Sequence, residues 1–167
     1  MKSPKLFALI FLSTMAFGSC SKASISEPEQ IGPQVFKILK TISINGKKDY
    51  IDNFLSIEEI RELGKNEEVV KDESTRNEMT SMLKEKWIKQ ITRDYNQIKE
   101  EGAGSGIVWQ DIEYLDFIYT IKKKQGVKGA EGELYFKYSE DVYKVETSAL
   151  WNGKEYRITE IEDLSKK

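Results

Sequence analysis

Residues 102–106 of this chain read Gly-Ala-Gly-Ser-Gly, and the hydrophobic pattern changes period across them. Before the glycines, apolar side chains recur every three or four residues, the spacing that gathers them on one face of a helix. After the glycines they alternate, as in a strand with one covered face. Few architectures accept that order. Helices come first, consecutive strands follow, and the helices must cover the sheet that the strands form. The expected class is α+β: N-terminal helices packed on a curved antiparallel sheet of about four strands. The glycines themselves are a connector. A phosphate cradle needs strand, loop and helix N-terminus in that order, and here a helix leads into a strand.

Val35, Ile38, Leu39 and Ile42 mark the first helix, with Pro33 suited to its opening turn because a proline there loses no hydrogen bond. A short second helix is expected over residues 48–55, presenting Tyr50, Ile51 and Phe54. Ser56 followed by Glu59 spells a capping box, opening a third helix through Ile60 and Leu63 that stops at Gly64. Residues 66–73 are acidic and read as a loop. Ser74 or Thr75 then caps one long helix to about Glu101, with Met79, Leu83, Trp87, Ile91, Tyr95 and Ile98 on its stripe.

Beyond the connector, the first strand runs over residues 109–124, with Leu115, Phe117, Tyr119 and Ile121 on one face and Ile112, Tyr114, Ile118 and Thr120 on the other. Gly126, Gly129 and Gly132 loosen the link to a second strand over 133–138. The turn at Ser139, Glu140 and Asp141 leads to a third strand over 142–151. Asn152-Gly153 predicts a tight type I′ hairpin. The last strand carries Tyr156 and Ile158, with Ile161 after a bulge, and residues 165–167 fray.

Composition removes several function classes. The chain has no histidine, which excludes Ser-His-Asp and Cys-His nucleophilic arrangements and the usual zinc sites. With 26 basic against 28 acidic residues there is no positive excess to hold nucleic acid. Nothing in the chain asks for a cofactor or a metal. Glu58-Glu59, Glu67-Glu68 and Glu100-Glu101 are adjacent pairs, which on a helix point apart.

The amino terminus carries the sharpest motif. Lys2 and Lys5 precede an apolar run over residues 6–17, and Gly18 and Ser19 lead to Cys20, the one cysteine in the chain. Basic, apolar and small-residue regions in that order make a secretion signal, and the run falls well short of the ~20 residues a membrane-spanning helix needs. The stretch Phe17-Gly18-Ser19-Cys20 resembles the lipobox of bacterial lipoproteins, with Phe17 where Leu is usual. That resemblance implies removal of residues 1–19, a lipid on Cys20, and an address at the bacterial envelope. Ser21 after the cysteine implies the outer membrane. The other reading is an ordinary signal cut near Ala16 or Gly18, which leaves a free thiol. Residues 20–33 then form the lipidated cysteine and a flexible tether, 34–164 a single domain and 165–167 a tail.

Residues 42–56 (Ile-Ser-Ile-Asn-Gly-Lys-Lys-Asp-Tyr-Ile-Asp-Asn-Phe-Leu-Ser), 143–147 (Tyr-Lys-Val-Glu-Thr) and 151–161 (Trp-Asn-Gly-Lys-Glu-Tyr-Arg-Ile-Thr-Glu-Ile) resemble nuclear transport factor 2-like, or cystatin-like, domains. The likeness covers roughly residues 34–164 and implies a cone of helices and curved sheet whose mouth holds an apolar ligand. Tyr156 departs from the aromatic, usually Trp, that precedes the family's final strand, and residues 65–73 form a longer charged loop.

Some members with that fold are isomerases or dehydratases that use a buried Asp and a Tyr donor. Asp94, Asp111, Glu113 and Asp116 are the carboxylates available for such work, with Asp116 sharing a strand face with Tyr114 and Ile118. None is assigned as catalytic. The expected role is a non-catalytic module, held to the membrane through the lipid on Cys20, that binds a protein partner or an apolar ligand. A structural or host-facing surface lipoprotein is the third reading.

Overall fold

A computed structural model of the chain describes residues 24–124 and 126–167. The fold is α+β, with the helices preceding the sheet. Among the described residues the α-helices are α1 (Ile31–Thr41), α2 (Lys47–Ile51), α3 (Ile57–Lys65), α4 (Glu73–Ser81) and α5 (Lys84–Gly104). The strands β1 (Glu113–Lys124), β2 (Val127–Tyr138), β3 (Asp141–Trp151) and β4 (Tyr156–Lys166) follow in spatial order β1-β2-β3-β4, every neighbour antiparallel. Short links allow this meander, since adjacent antiparallel strands need only a hairpin between them.

One sheet face carries the core. Phe117, Leu134 and Val145 line up across β1, β2 and β3, and Ala130, Ala149 and Ile158 across β2, β3 and β4. Val35, Ile38 and Leu39 of α1 are buried on this layer. Gly32 lets α1 approach closely: a Cβ there would stand 2.4 Å from the Phe117 side chain. Helix α5 runs along β4 and buries Trp87, Ile91, Tyr95 and Ile98. Each such large apolar side chain contributes about 1.5–3 kcal/mol relative to exposure.

The Ser56 capping box is present: the Ser56 hydroxyl accepts from the Glu59 N–H at 3.2 Å, and the Glu59 carboxylate accepts from the Ser56 N–H at 2.7 Å. The bulge before Ile161 is present too, with Thr159 left out of the pairing between Ile158↔Ala149 and Glu160↔Ser148.

Other expectations need correcting. Residues 24–33 dock on the body: the Ile25 carbonyl accepts from the Tyr156 N–H at 2.7 Å, Ile25 is 3% exposed, and Ile31 is buried. Two isoleucines in a hydrophilic stretch suffice to hold it, so the described part of the expected tether is not one. The long helix from residue 74 is two helices, α4 and α5, broken at Met82 and Leu83, whose backbones are extended (ψ 130° and 131°). Asp72 caps α4, accepting from the Thr75 N–H at 2.7 Å. Gly64 does not end α3; it lies where α4 presses close, with a Cβ there only 2.8 Å from that of Met79.

Strand β2 is continuous from Val127, and its glycines answer crowding, since a Cβ at Gly132 would meet the Phe117 ring at 2.7 Å. Trp109 sits in a 3-10 turn (Trp109–Asp111) before β1, and Leu115 falls at a bulge between Tyr114 and Asp116, out of the expected face. The hairpin at Asn152 is a wider loop closed by Trp151↔Tyr156. Only Gly153 (φ 100°) has positive φ there, and the Asn152 side chain accepts from the N–H groups of Lys154 and Glu155. The tail does not fray as expected, because β4 extends to Lys166 and the Lys167 N–H donates to Val142 at 2.9 Å.

Candidate functional site

Of the four carboxylates weighed for acid–base work, the structure buries one. Asp94 lies on α5 at 1% exposed, whereas Asp111, Glu113 and Asp116 are exposed. The Asp116 carboxylate accepts from the Phe117 N–H at 2.8 Å, so it lies at the strand edge and in no apolar pocket. Asp94 Oδ1 accepts from the Arg93 guanidinium at 3.1 and 3.2 Å, while Oδ2 is buried with no hydrogen-bond partner. Burial pushes the Asp94 carboxyl above the usual range against the pull of Arg93.

Tyr50 of α2, which the sequence placed on a helix but in no site, is within electrostatic reach of Asp94. Its ring packs on Phe54 and Tyr95 at 4.9 and 5.0 Å, and its buried hydroxyl has no partner. Burial, then the Asp94 charge, raises its pKa. Glu160 and Glu162 on β4 are likewise pushed up by burial first, then by neighbouring carboxylates. A seam of strained acids therefore runs between α5 and β4.

Two clefts lie near this seam, and neither is lined by Asp94 or Tyr50. The first, of about 270 Å³, has walls from Ile60, Met79, Met82, Trp87, Val127 and Leu150, with Glu78, Gln90 and Glu160 as polar members. Local sequence builds it. The Thr80 and Ser81 hydroxyls bond back to the Arg76 and Asn77 carbonyls, the competition with helix continuation that short polar side chains offer. Arg61 then donates to the Met82 carbonyl at 2.9 Å and holds the break. As a result both methionines line a gap between α3, α4, α5 and the sheet. Leu83 stands 67% exposed beside them. The periodic stripe hid this site because Leu83 keeps the spacing of a continuous helix.

The second cleft, of about 460 Å³, lies on the sheet face opposite the core. Glu131, Glu133, Glu146, Glu160 and Glu162 line it. Lys144 pairs with Glu133 and, at 3.2 Å, with Glu146, and its proximity holds the Glu133 carboxyl below the usual range. Glu160 belongs to both clefts.

Among the described residues most of the aromatic rings serve the core: Trp87, Trp109, Tyr50, Tyr95, Tyr143 and Tyr156 are buried, and the exposed large apolar residues are aliphatic apart from Tyr114. The paired glutamates are engaged locally: Glu59 caps α3, Glu58 pairs with Lys84 at 3.7 Å, Glu67 pairs with Arg76 at 3.8 Å and Glu101 accepts from Gln97. Among the described residues no helix is long and apolar enough to cross a membrane, and no group of three metal-ligating side chains converges. Cys20 and the whole signal stretch lie outside the described residues.

No protein-family model matches the chain, and neither a curated protein nor a solved structure matches it.

Proposed function

We propose that the chain is a bacterial envelope lipoprotein, anchored through Cys20, whose body is a non-catalytic module that takes a small apolar ligand. The observation that carries the ligand reading is the methionine-lined cleft at the α4–α5 break. Small-molecule sites are concave, mostly apolar and supplied with a few fixed polar groups, and this cleft has that make-up at a size just below the usual range. Methionine suits such a wall because its unbranched, polarizable chain adapts to the shape of a guest. Gln90 donates to Glu160 at 3.0 Å and fixes the polar end. The helices-then-meander order supports kinship with nuclear transport factor 2-like domains, whose ligand mouths lie between helices and sheet.

Trp87 reports on the cleft directly. Titration with anilinonaphthalene sulfonate should change tryptophan emission along a saturable, single-site curve. Leu150→Trp, which fills the cleft, should abolish that saturation while the fold survives by circular dichroism. Unsaturable binding to the wild type, or unchanged saturable binding to that variant, would remove the site. The anchor has its own test: metabolic labelling with an alkyne fatty acid should mark the wild type and not Cys20→Ser. A bare thiol at the mature terminus would sink the envelope address and leave the cleft untouched.

An isomerase or dehydratase reading has Asp94 and Tyr50 in its favour, a buried acid within reach of a phenol. Burial of both away from the two clefts leaves no room for a substrate between them, and the binding reading is preferred.

A further inference from the structure

The outer edge of β1 is open. No strand among the described residues pairs with it, and Leu115, Ile118 and Ile121 are 46%, 58% and 47% exposed. The Phe117 N–H points away from β2, and the Asp116 carboxylate takes it at 2.8 Å, a side chain standing where a neighbouring strand would be. Outward and inward backbone groups alternate along a strand, so those of Tyr119 and Ile121 face outward with those of Phe117.

Edge strands are commonly blunted by scattered charge. Here the charge is sorted instead. Glu113 and Asp116 lie at one end, Lys122 and Lys123 at the other, with Phe117, Ile118 and Tyr119 between. A strand patterned in this way is complementary to an antiparallel copy of itself.

We propose that β1 pairs with β1 of a second copy of this chain about a two-fold axis at Tyr119, joining two four-stranded sheets into one. The outward backbone groups then pair Tyr119 with the partner's Tyr119 and Phe117 with the partner's Ile121. On the other face Ile118 meets the partner's Thr120, and Asp116 meets the partner's Lys122, twice by symmetry. Asp116 gives up the Phe117 N–H to the partner's Ile121 carbonyl as it does so. Centring the axis on Ile118 instead sets Asp116 against Thr120 and keeps only Glu113 opposite the partner's Lys123, across the bulge at Leu115, while centring it on Thr120 shortens the overlap. A one-residue slip turns the wrong backbone groups to the interface.

The test is sedimentation velocity of the full chain in density-matched detergent, with charge reversal. Wild type should be a dimer. Asp116→Lys and Lys122→Asp should each weaken association about thirtyfold, since two opposite-charge pairs become like-charge pairs, and the double variant should restore it. Opposed residues at the axis lie about 5.5 Å apart, within disulfide reach. Tyr119→Cys should therefore cross-link on mild oxidation, whereas wild type and exposed Lys48→Cys should not. A monomeric wild type would overturn the proposal. So would a dimer indifferent to both reversals, or no cross-link at Tyr119→Cys.

Discussion

The indole N–H of Trp87 donates to the Leu55 carbonyl at 2.8 Å, and the Leu55 N–H donates to the Ile158 carbonyl at 2.8 Å. Leu55 thus ties α5 to β4 through both of its backbone groups, and all three residues are buried. Trp87→Phe keeps most of the apolar contact and strands the carbonyl. The expected loss is about 1–3 kcal/mol, the cost of an unpaired buried acceptor. Urea unfolding should show it as a lower midpoint with an unchanged slope.

Ser56→Ala removes the acceptor that caps α3 and should cost roughly 0.5–2 kcal/mol. Glu59→Ala should cost more. The same carboxylate also lies 3.3 Å from Nε of Arg157, a buried cation whose other carboxylate, Glu155, is farther off at 3.6 Å. Breaking one partner away from a buried charge is the expensive half of an ion pair. Equal losses for the two variants, measured by the same denaturant series, would show that Arg157 does not depend on Glu59.

The cap was legible because Ser56 and Glu59 are three residues apart and satisfy each other locally. The alternation of β3 was legible for the same kind of reason. The break at Met82 was not, because Met79, Leu83 and Trp87 keep helical spacing although Leu83 points to solvent. Docking of residues 24–33 was hidden in a composition that reads as tether; only partners distant in sequence, Tyr156 for Ile25 and Tyr119 for Glu29, reveal it. The glycines of β2 looked like looseness and are places where Phe117 and Ala149 leave no room for a Cβ. Asp94 is one of four candidate carboxylates in the sequence, but its burial depends on Tyr50 and β4 arriving from elsewhere in the chain. The methionine cleft needs α3, α4, α5 and the sheet together, and no local pattern encodes that.

Two glycines in the last turn of α5 should respond unequally to alanine. At Gly102 a Cβ would meet the Trp109 ring at 2.3 Å, and Trp109 is wedged against Phe136, 6.1 Å between centroids. Gly102→Ala should therefore lose about 1–3 kcal/mol through overpacking. Gly104, at the last position of α5, has nothing within 4 Å of its Cβ position. Gly104→Ala should change stability by less than about 0.5 kcal/mol, as open surface sites do. Thermal unfolding of the pair separates a packing glycine from a permissive one.

Burial raises the carboxyl groups of Asp94, Glu160 and Glu162 above their ordinary range, so the folded chain holds protons that the unfolded chain has released. Stability contributed at this seam is then full at acid pH and falls as pH rises through the raised values. The groups facing Asp94 are Arg93, Tyr50, Glu160, Glu162 and Asp163, and Arg93 is the cation among them. Its side chain is 66% exposed, so solvent screens the attraction it offers. Desolvation and like charge outweigh it. Asp94→Asn, which keeps the shape and removes the charge, should unfold at a higher temperature than wild type at neutral pH. The gap should close near the ordinary carboxylate pKa, about pH 4, where wild type is itself protonated. A neutral-pH melt in which Asp94→Asn is the less stable protein would mean that the Arg93 contact, and not burial, governs this position.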